Sequence, residues 1–232
     1  QRARELGYRP NPAARRLKCG KTPLVGVILP SAGDGVRFVD SVYSSLLGGV
    51  EAELENGGYS LIATMQTRND PVRESALYEN FIKGGWVDAL LIVRTRVTDN
   101  RVALARKHHI PFVAYGRTET SEPYAWVDTD NEKAFYLATM RQFEFGHRRI
   151  ALLNGPLEFY FARLREKGYT KALAKNKIPT DPLLMLNGDL SEVSGFAMCR
   201  QLLALPTPPT AIVCATDAMA IAALPACRQR GF

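Results

Sequence analysis

The distribution of hydrophobic residues is what most constrains the fold of this 232-residue chain. Short aliphatic runs without polar alternation, such as 24–29 and 111–115, alternate with longer stretches of helical periodicity, such as 42–56. Strands of this kind are buried on both faces, as in a parallel sheet that is covered by helices. The pattern therefore predicts an α/β fold that is built on parallel sheets.

The alternation of strands and helices runs through the chain twice. The first series predicts strands over 24–29, 59–65, 87–93, 111–115 and 125–127, with helices over 42–56, 71–84 and 100–108. After a helix over 131–145, the second series predicts strands over 149–153, 183–186 and 211–215, with helices over 161–176, 191–205 and 218–230. Two runs of one pattern indicate two subdomains of similar build, with a border near 128–146.

The loops beyond the carboxyl ends of the predicted strands are the expected ligand site, because open parallel sheets bind ligands there. Two sheets that face each other would bring these loops together in a cleft. Phe38 and Tyr43 can stack on a sugar ring or a base, although Tyr43 fits a core position equally well. Arg94 ends the third strand and points either into the cleft or into solvent.

Charged residues near these loops are the other ligand candidates. Arg163 and Arg165 open the helix that follows 154–156, and an arginine fork can grip a carboxylate, a phosphate or adjacent hydroxyls. The alternative for both is a solvated helix face. Asp217, Asp128 and Asp130 each precede a helix, so they can accept sugar hydroxyls or cap the helix, and these two roles are compatible.

Composition and motifs exclude several classes of protein. The four cysteines are scattered without metal-ligand spacing, and with only three histidines we expect no metal site. No apolar run reaches membrane-spanning length and no signal peptide opens the chain, so we expect a cytoplasmic protein without a membrane partner. No Gly-x-Ser-x-Gly, phosphate-loop or Gly-x-Gly-x-x-Gly motif follows a strand, so neither an enzyme, for example one acting on a phosphosugar, nor a cofactor is expected.

The amino end of the chain carries most of its positive charge. Seven of the first 21 residues are Lys or Arg and one is Glu, whereas the formal net charge of the whole chain is +7. Clustered cations usually face phosphates. The segment Arg15-Arg16-Leu17-Lys18 adds one apolar side chain to this charge, and a basic helix with a single leucine can insert it between base pairs of the minor groove. These residues are the predicted DNA contacts.

Several segments together resemble the lactose/galactose repressor family. Leu-Gly-Tyr-Arg-Pro-Asn-Pro-Ala-Ala-Arg-Arg-Leu at 6–17 and Lys-Thr-Pro-Leu-Val-Gly-Val-Ile-Leu-Pro at 21–30 are similar to the family's hinge helix and first core strand. Gly-His-Arg-Arg-Ile at 146–150, Arg-Leu-Arg-Glu-Lys-Gly-Tyr at 163–169 and Ala-Thr-Asp-Ala-Met-Ala at 215–220 match in order. The resemblance implies a type I periplasmic-binding-protein-like core that binds a small effector, usually a sugar, between two subdomains.

The resemblance also implies roles for individual residues. Arg165 falls on the family's effector-binding arginine, with Arg163 close by, and Asp217 falls on the aspartate of an Asn-Asp pair in which Thr216 replaces the asparagine. Leu190 stands where many members place an aromatic residue that stacks on the ligand, so that stack is not expected here.

Leu17 falls on the hinge leucine that enters the minor groove. In this reading, residues 1–21 are the end of a DNA-binding headpiece and the hinge helix, 22–128 the first effector-binding subdomain, and 129–232 an incomplete second one. The resemblance implies operator DNA and a second copy of the chain as partners. The alternative is a periplasmic-type sugar receptor for transport, against which the basic amino end and the absent signal peptide argue.

Overall fold

The computed structural model describes residues 22–30, 41–66 and 71–231. The predicted DNA contacts and the candidate Phe38 lie outside the described residues, and their assignments stay predictions. The described part has two separate sheets in which every strand pairing is parallel. This confirms the predicted α/β fold class.

The first sheet has five strands in the order β2-β1-β3-β4-β5. Its strands are β1 (Leu24–Leu29), β2 (Ser60–Met65), β3 (Ala89–Val93), β4 (Phe112–Tyr115) and β5 (Ala125–Val127). Helices α1 (Ser41–Asn56), α2 (Pro71–Lys83) and α3 (Asn100–Lys107) connect the first four strands. Of the three inner strands, β1 and β3 are the most buried, as expected for aliphatic strands covered on both faces.

The second sheet has three strands in the order β7-β6-β8. The elements of this half are α4 (Asn131–Glu144), β6 (Ile150–Asn154), α5 (Tyr160–Lys175), β7 (Met185–Asn187), α6 (Glu192–Leu203), β8 (Ala211–Cys214) and α7 (Asp217–Gln229). All five residues of β6 are buried, so this strand forms the centre of the second core. The second series of the sequence pattern therefore builds a sheet of its own.

The strand predicted over 183–186 begins later in the structure. A single 3-10 turn, Pro182–Leu184, comes first, and the strand pairing starts at Met185 opposite Leu152. The Asp181 side chain accepts the backbone N–H of Leu183 at 3.0 Å, and proline restricts the backbone at the first position of the turn. Local capping thus outweighs the β propensity of the aliphatic run.

Helices α4 and α5 pack closely at Gly168, and we expect Gly168→Ala to destabilise the fold by about 1–3 kcal/mol. An added Cβ would lie 2.1 Å from the backbone oxygen of Glu132 and 2.9 Å from the backbone nitrogen of Tyr136, so one helix would have to move. Urea unfolding measures the loss. Gly48→Ala in α1 is the matched control, because its Cβ would meet nothing within 4 Å. Equal stabilities of the two variants would contradict the expected clash.

Candidate functional site

Arg165 is the candidate side chain that the structure holds most firmly. From α5, its Nε donates to Oδ1 of Asn131 and its Nη1 donates to the carbonyl oxygen of Ala215, both at 2.8 Å. Its guanidinium also lies over the rings of Phe135 and Phe161, at 5.2 and 4.7 Å from their centroids. Both acceptors are neutral, so the charge of Arg165 has no carboxylate bonded to it.

The charged form of Arg165 is kept in a largely desolvated position. Burial lowers the pKa of Arg165, and the nearby charge of Asp128 partly offsets this effect. An arginine remains charged even so, because its ordinary pKa lies far above neutrality. Among the described residues, Nη2 of Arg165 makes no hydrogen bond, so the guanidinium retains N–H donors for an acceptor that is supplied from outside.

A chain of hydrogen bonds connects Arg165 to the first half of the protein. Asn131 accepts from Arg165 through Oδ1 and donates through Nδ2 to Asp128 at 3.1 Å. Asp128 in turn accepts from Nε of Arg117, which follows β4, at 3.0 Å. The guanidinium of Arg117 lies between the rings of Trp126 and Tyr160, at 5.2 and 5.8 Å. This continuous path from the end of β4 to the end of β8 was not predicted, although Asp128 was one of the aspartates considered as a ligand or a helix cap.

The loops after β3 and β6 meet directly. Residues 95–97 and 158–160 form an antiparallel contact, which we call the crossing contact. The backbone N–H of Val97 donates to the Glu158 carbonyl at 2.8 Å, and that of Tyr160 donates to the Thr95 carbonyl at 3.1 Å. The crossing contact joins a loop of the first half to the start of α5 in the second half.

Arg94 lies next to the crossing contact in a strained conformation. Its φ of +51° is in the left-handed region, which non-glycine residues rarely adopt. Its guanidinium lies 5.4 Å from the centroid of Phe159, whose ring stacks on that of Phe161 with centroids 5.5 Å apart. Arg94 therefore points toward Phe159 of the second half, and its contact with a ligand stays a prediction.

Leu190, between β7 and α6 of the second half, also has a backbone conformation in the left-handed region. Its φ is +73°, and its Cδ2 would lie 2.7 Å from a Cβ added to Gly155 after β6. The residue packs against the core of the second half. An aliphatic side chain here can form an apolar wall but supplies no aromatic face.

The remaining candidates have local structural roles in addition to their predicted ones. Tyr43 is 8% exposed and packs in the core of the first half, and Asp130 caps α4 by accepting the Lys133 N–H at 2.9 Å. Arg163 is exposed and donates from Nε to the Leu157 carbonyl. Asp217 accepts the N–H of Ala218, while Thr216 rather than Asp217 is the N-cap of α7. Their contacts with a ligand stay predictions.

Sequence reasoning missed a group of four charged side chains, three of them buried, here called the ion cluster: Glu74, Arg96, Asp99 and Arg101. Arg101 donates from Nε and Nη2 to the two Asp99 oxygens at 2.8 and 2.6 Å, and from Nη1 to Glu74 at 2.9 Å. Arg96 pairs with the other Glu74 oxygen at 2.8 Å. Asp99 and Glu74 were part of an ordinary helix start in the sequence, so no local signal distinguished them.

A small cavity borders the ion cluster at the carboxyl ends of β1, β2 and β3. Its volume is about 10 Å³, and the ring of Phe159 closes it from the second half. That space holds about one water molecule and is too small for a sugar. Residues 31–40 and 67–70, which follow β1 and β2 in the chain, lie outside the described residues.

Within the described ranges, no helix has the length and hydropathy that a membrane span requires. In the same part of the chain, no group of three His, Cys, Asp or Glu residues is arranged to hold a metal ion.

Comparison with known proteins identifies a matching family and several sequence relatives. Residues 22–232 match the family described as periplasmic binding proteins and sugar binding domain of the LacI family. The HTH-type transcriptional regulator AglR of Rhizobium meliloti is 34% identical over 99% of this chain and 63% of its own length. The HTH-type transcriptional regulator RafR of Escherichia coli is 34% identical over 99% of this chain and 66% of its own length. The chain thus spans less than two thirds of these curated relatives.

Solved structures agree with the sequence relatives. The transcriptional regulator CelR–cellobiose complex has a TM-score of 0.81 and 28% identity, over 99% of this chain and 67% of that chain. Two parallel sheets joined through their carboxyl-end loops define a periplasmic-binding-protein-like core. The chain belongs to the family of periplasmic binding proteins and LacI-type sugar binding domains. Because its relatives are regulators, the expectation that it is not an enzyme is confirmed.

Proposed function

We propose that this chain is the effector-sensing core of a bacterial transcriptional repressor, in which residues 22–128 and 129–232 bind a sugar between them. The observation that carries the proposal is Arg165, a desolvated cation with neutral partners and remaining donors at the junction of the two halves. The sequence relatives, which are HTH-type transcriptional regulators, support the regulatory role. They also favour a repressor core in the cytoplasm over a transport receptor.

A sugar suits the chemistry around Arg165. Its guanidinium can donate to two adjacent hydroxyl oxygens at once. The Phe161 side chain, which is partly exposed beside Arg165, adds apolar surface that the C–H groups of a pyranose ring can contact. The solved CelR relative is a complex with cellobiose, which supports a saccharide as the class of effector.

The proposed mechanism is a shift between two arrangements of the halves. An effector that binds one arrangement better than the other shifts the population toward it. The hydrogen-bonded chain from Arg165 through Asn131 and Asp128 to Arg117 connects the ligand arginine to the first half. In the dimer that we propose, motion of the first halves moves two hinge segments, in which Leu17 and the cations at 15, 16 and 18 contact operator DNA.

Thermal unfolding of the protein with a panel of small molecules tests the proposal. The panel contains glucose, galactose, cellobiose, glucose 6-phosphate and adenosine. A ligand at 100 times its dissociation constant adds about 2.7 kcal/mol of stability, so we expect a clear rise in Tm with at least one saccharide. Stabilisation by adenosine alone, or by no member of the panel up to millimolar concentration, would contradict a sugar effector.

A further inference from the structure

The ion cluster places three charged side chains where little solvent reaches them. Glu74, Asp99 and Arg101 are each 6% exposed, and ionic groups in such positions lose most of their hydration. Each of them is fully engaged in hydrogen bonds or ion pairs. A buried ion pair is often no more stabilising than apolar residues of the same volume, so stability alone does not account for the cluster.

The hydrogen bonds of the cluster are directed at one short segment, residues 94–97. Nη2 of Arg101 donates to the Arg94 carbonyl at 2.9 Å, and Oδ2 of Asp99 accepts the backbone N–H of Arg96 at 2.9 Å. The side chain of Arg96 is itself held by Glu74. These bonds hold the carbonyl group of Arg94, whose φ is strained, and the backbone N–H of Arg96. Strained backbone of this kind persists only where its surroundings hold it.

Residues 95–97 of this segment also form the first-half side of the crossing contact. Thr95 and Val97 exchange backbone hydrogen bonds with Tyr160 and Glu158 of the second half. The 117–119 loop supports the segment from the side, because Thr118 Oγ1 donates to the Val97 carbonyl at 2.7 Å and the Glu119 N–H donates to the same oxygen at 2.8 Å. The ion cluster therefore bonds to residues 94–97 within the first half, and the same segment hydrogen-bonds to the second half.

We propose that the ion cluster is a positioning device, which holds residues 94–97 in the conformation that makes the crossing contact between the two halves. Glu74, Asp99 and Arg101 act through this segment rather than on a ligand. The crossing contact fixes the spacing of the halves beside Arg165. An effect of the crossing contact on effector affinity rests on the proposed function, whereas the positioning of residues 94–97 by the ion cluster does not.

Hydrogen exchange of the unliganded protein tests the positioning role. The informative variant is Glu74→Gln, because Glu74 lies on α2 and, among the described residues, its carboxylate pairs only with the side chains of Arg96 and Arg101. We expect the amides of Val97 and Tyr160 to exchange about tenfold faster in the variant, since a charge-assisted bond that supports the segment is lost. The amides of β6, such as that of Leu152, should keep their exchange rates.

Matched controls separate positioning from a general loss of stability. Glu132→Gln makes the same exchange at a carboxylate that pairs with Lys167 and Lys171 in the second half, and it should leave Val97 and Tyr160 protected. Asp99→Asn replaces one of the two carboxylate oxygens, which both accept N–H groups in the parent protein, by an NH2 donor and should reproduce the local effect. If Glu74→Gln lowers Tm so far that all amides exchange faster together, or if both reporters stay as protected as in the parent protein, the positioning role is wrong.

The result is independent of the proposed function. A protein that no saccharide stabilises, but in which Glu74→Gln selectively exposes Val97 and Tyr160, would refute the effector proposal and keep the positioning device. A protein that binds a saccharide, but in which Val97 and Tyr160 stay protected in Glu74→Gln, would support the effector proposal and refute the positioning device.

Discussion

Replacement of Arg165 by methionine is expected to weaken binding of the stabilising saccharide about 100-fold while the fold is retained. Methionine keeps much of the side chain's apolar contact with Phe135 and Phe161 but removes every N–H donor. Loss of charge-assisted hydrogen bonds that each contribute about 1.5–3 kcal/mol accounts for a change of this size. Isothermal titration with the panel member that stabilises the parent protein measures the affinity.

Two other arginines serve as comparisons for Arg165→Met. Arg141→Met removes an exposed cation of α4, whose guanidinium pairs with Glu144, and should leave the affinity unchanged. Arg163→Met is expected to have a smaller effect than Arg165→Met, because Arg163 is exposed and its Nε already donates to the Leu157 carbonyl. An Arg165→Met protein that is folded and binds the saccharide as tightly as the parent would refute the assignment of this residue.

Arg101→Met is expected to lower the free energy of unfolding by about 3–5 kcal/mol, because it leaves the carboxylates of Glu74 and Asp99 buried without their main partner. Urea unfolding at pH 7 measures the change. Arg149→Met is the matched control, since its partner Asp181 is about one third exposed and such pairs contribute about 0–1 kcal/mol. A loss at Arg101 no larger than that at Arg149 would contradict the importance of the cluster.

The pH dependence of this loss identifies its electrostatic origin. Burial by itself would raise the pKa of Asp99, but the hydrogen bonds and charge of Arg101 hold that pKa below its ordinary value. A carboxyl whose folded pKa is depressed contributes stability above its unfolded pKa of about 3.9 and loses it as the pH falls through the folded value. In Arg101→Met the buried carboxyl loses this compensation, so its pKa lies above the ordinary value. The gap between the parent and Arg101→Met should therefore be full at pH 7, begin to shrink above about pH 4 as the variant's carboxyl is protonated, and shrink further below that pH as the parent loses its own contribution. A gap that stays constant down to pH 3 would instead indicate lost packing of the arginine stem.

The elements of the fold were largely predictable because their signals are local. A strand that is buried on both faces must be apolar along its whole length, and β3 and β6 meet this condition. Helix ends follow from capping chemistry, as at Asp99 and Asp130, whose side chains accept backbone N–H groups two or three residues later. The displaced start of β7 shows the limit of such reasoning, since a proline and an aspartate cap outweighed an aliphatic run.

The candidate site was predictable only in part. Arg165 could be selected because its sequence context resembles a family motif, and the structure gives it a distinctive environment. The partners of Arg165 could not be selected, because Asn131 and Ala215 are 34 and 50 residues away from it in the chain. Phe159 and Phe161 carry no sequence mark of a site, and only their ring contacts with Arg94 and Arg165 associate them with it.

The amino-acid sequence by itself determined the class of fold, the two series of strands and helices and the basic amino end, because each depends on neighbouring residues. Only the tertiary structure decided that Glu74, Arg96, Asp99 and Arg101 form one largely buried cluster, and that residues 95–97 reach across to 158–160. A charged side chain has the same local pattern whether it is solvated or buried. Whether such a side chain can be buried depends on the oppositely charged groups that distant parts of the chain place beside it.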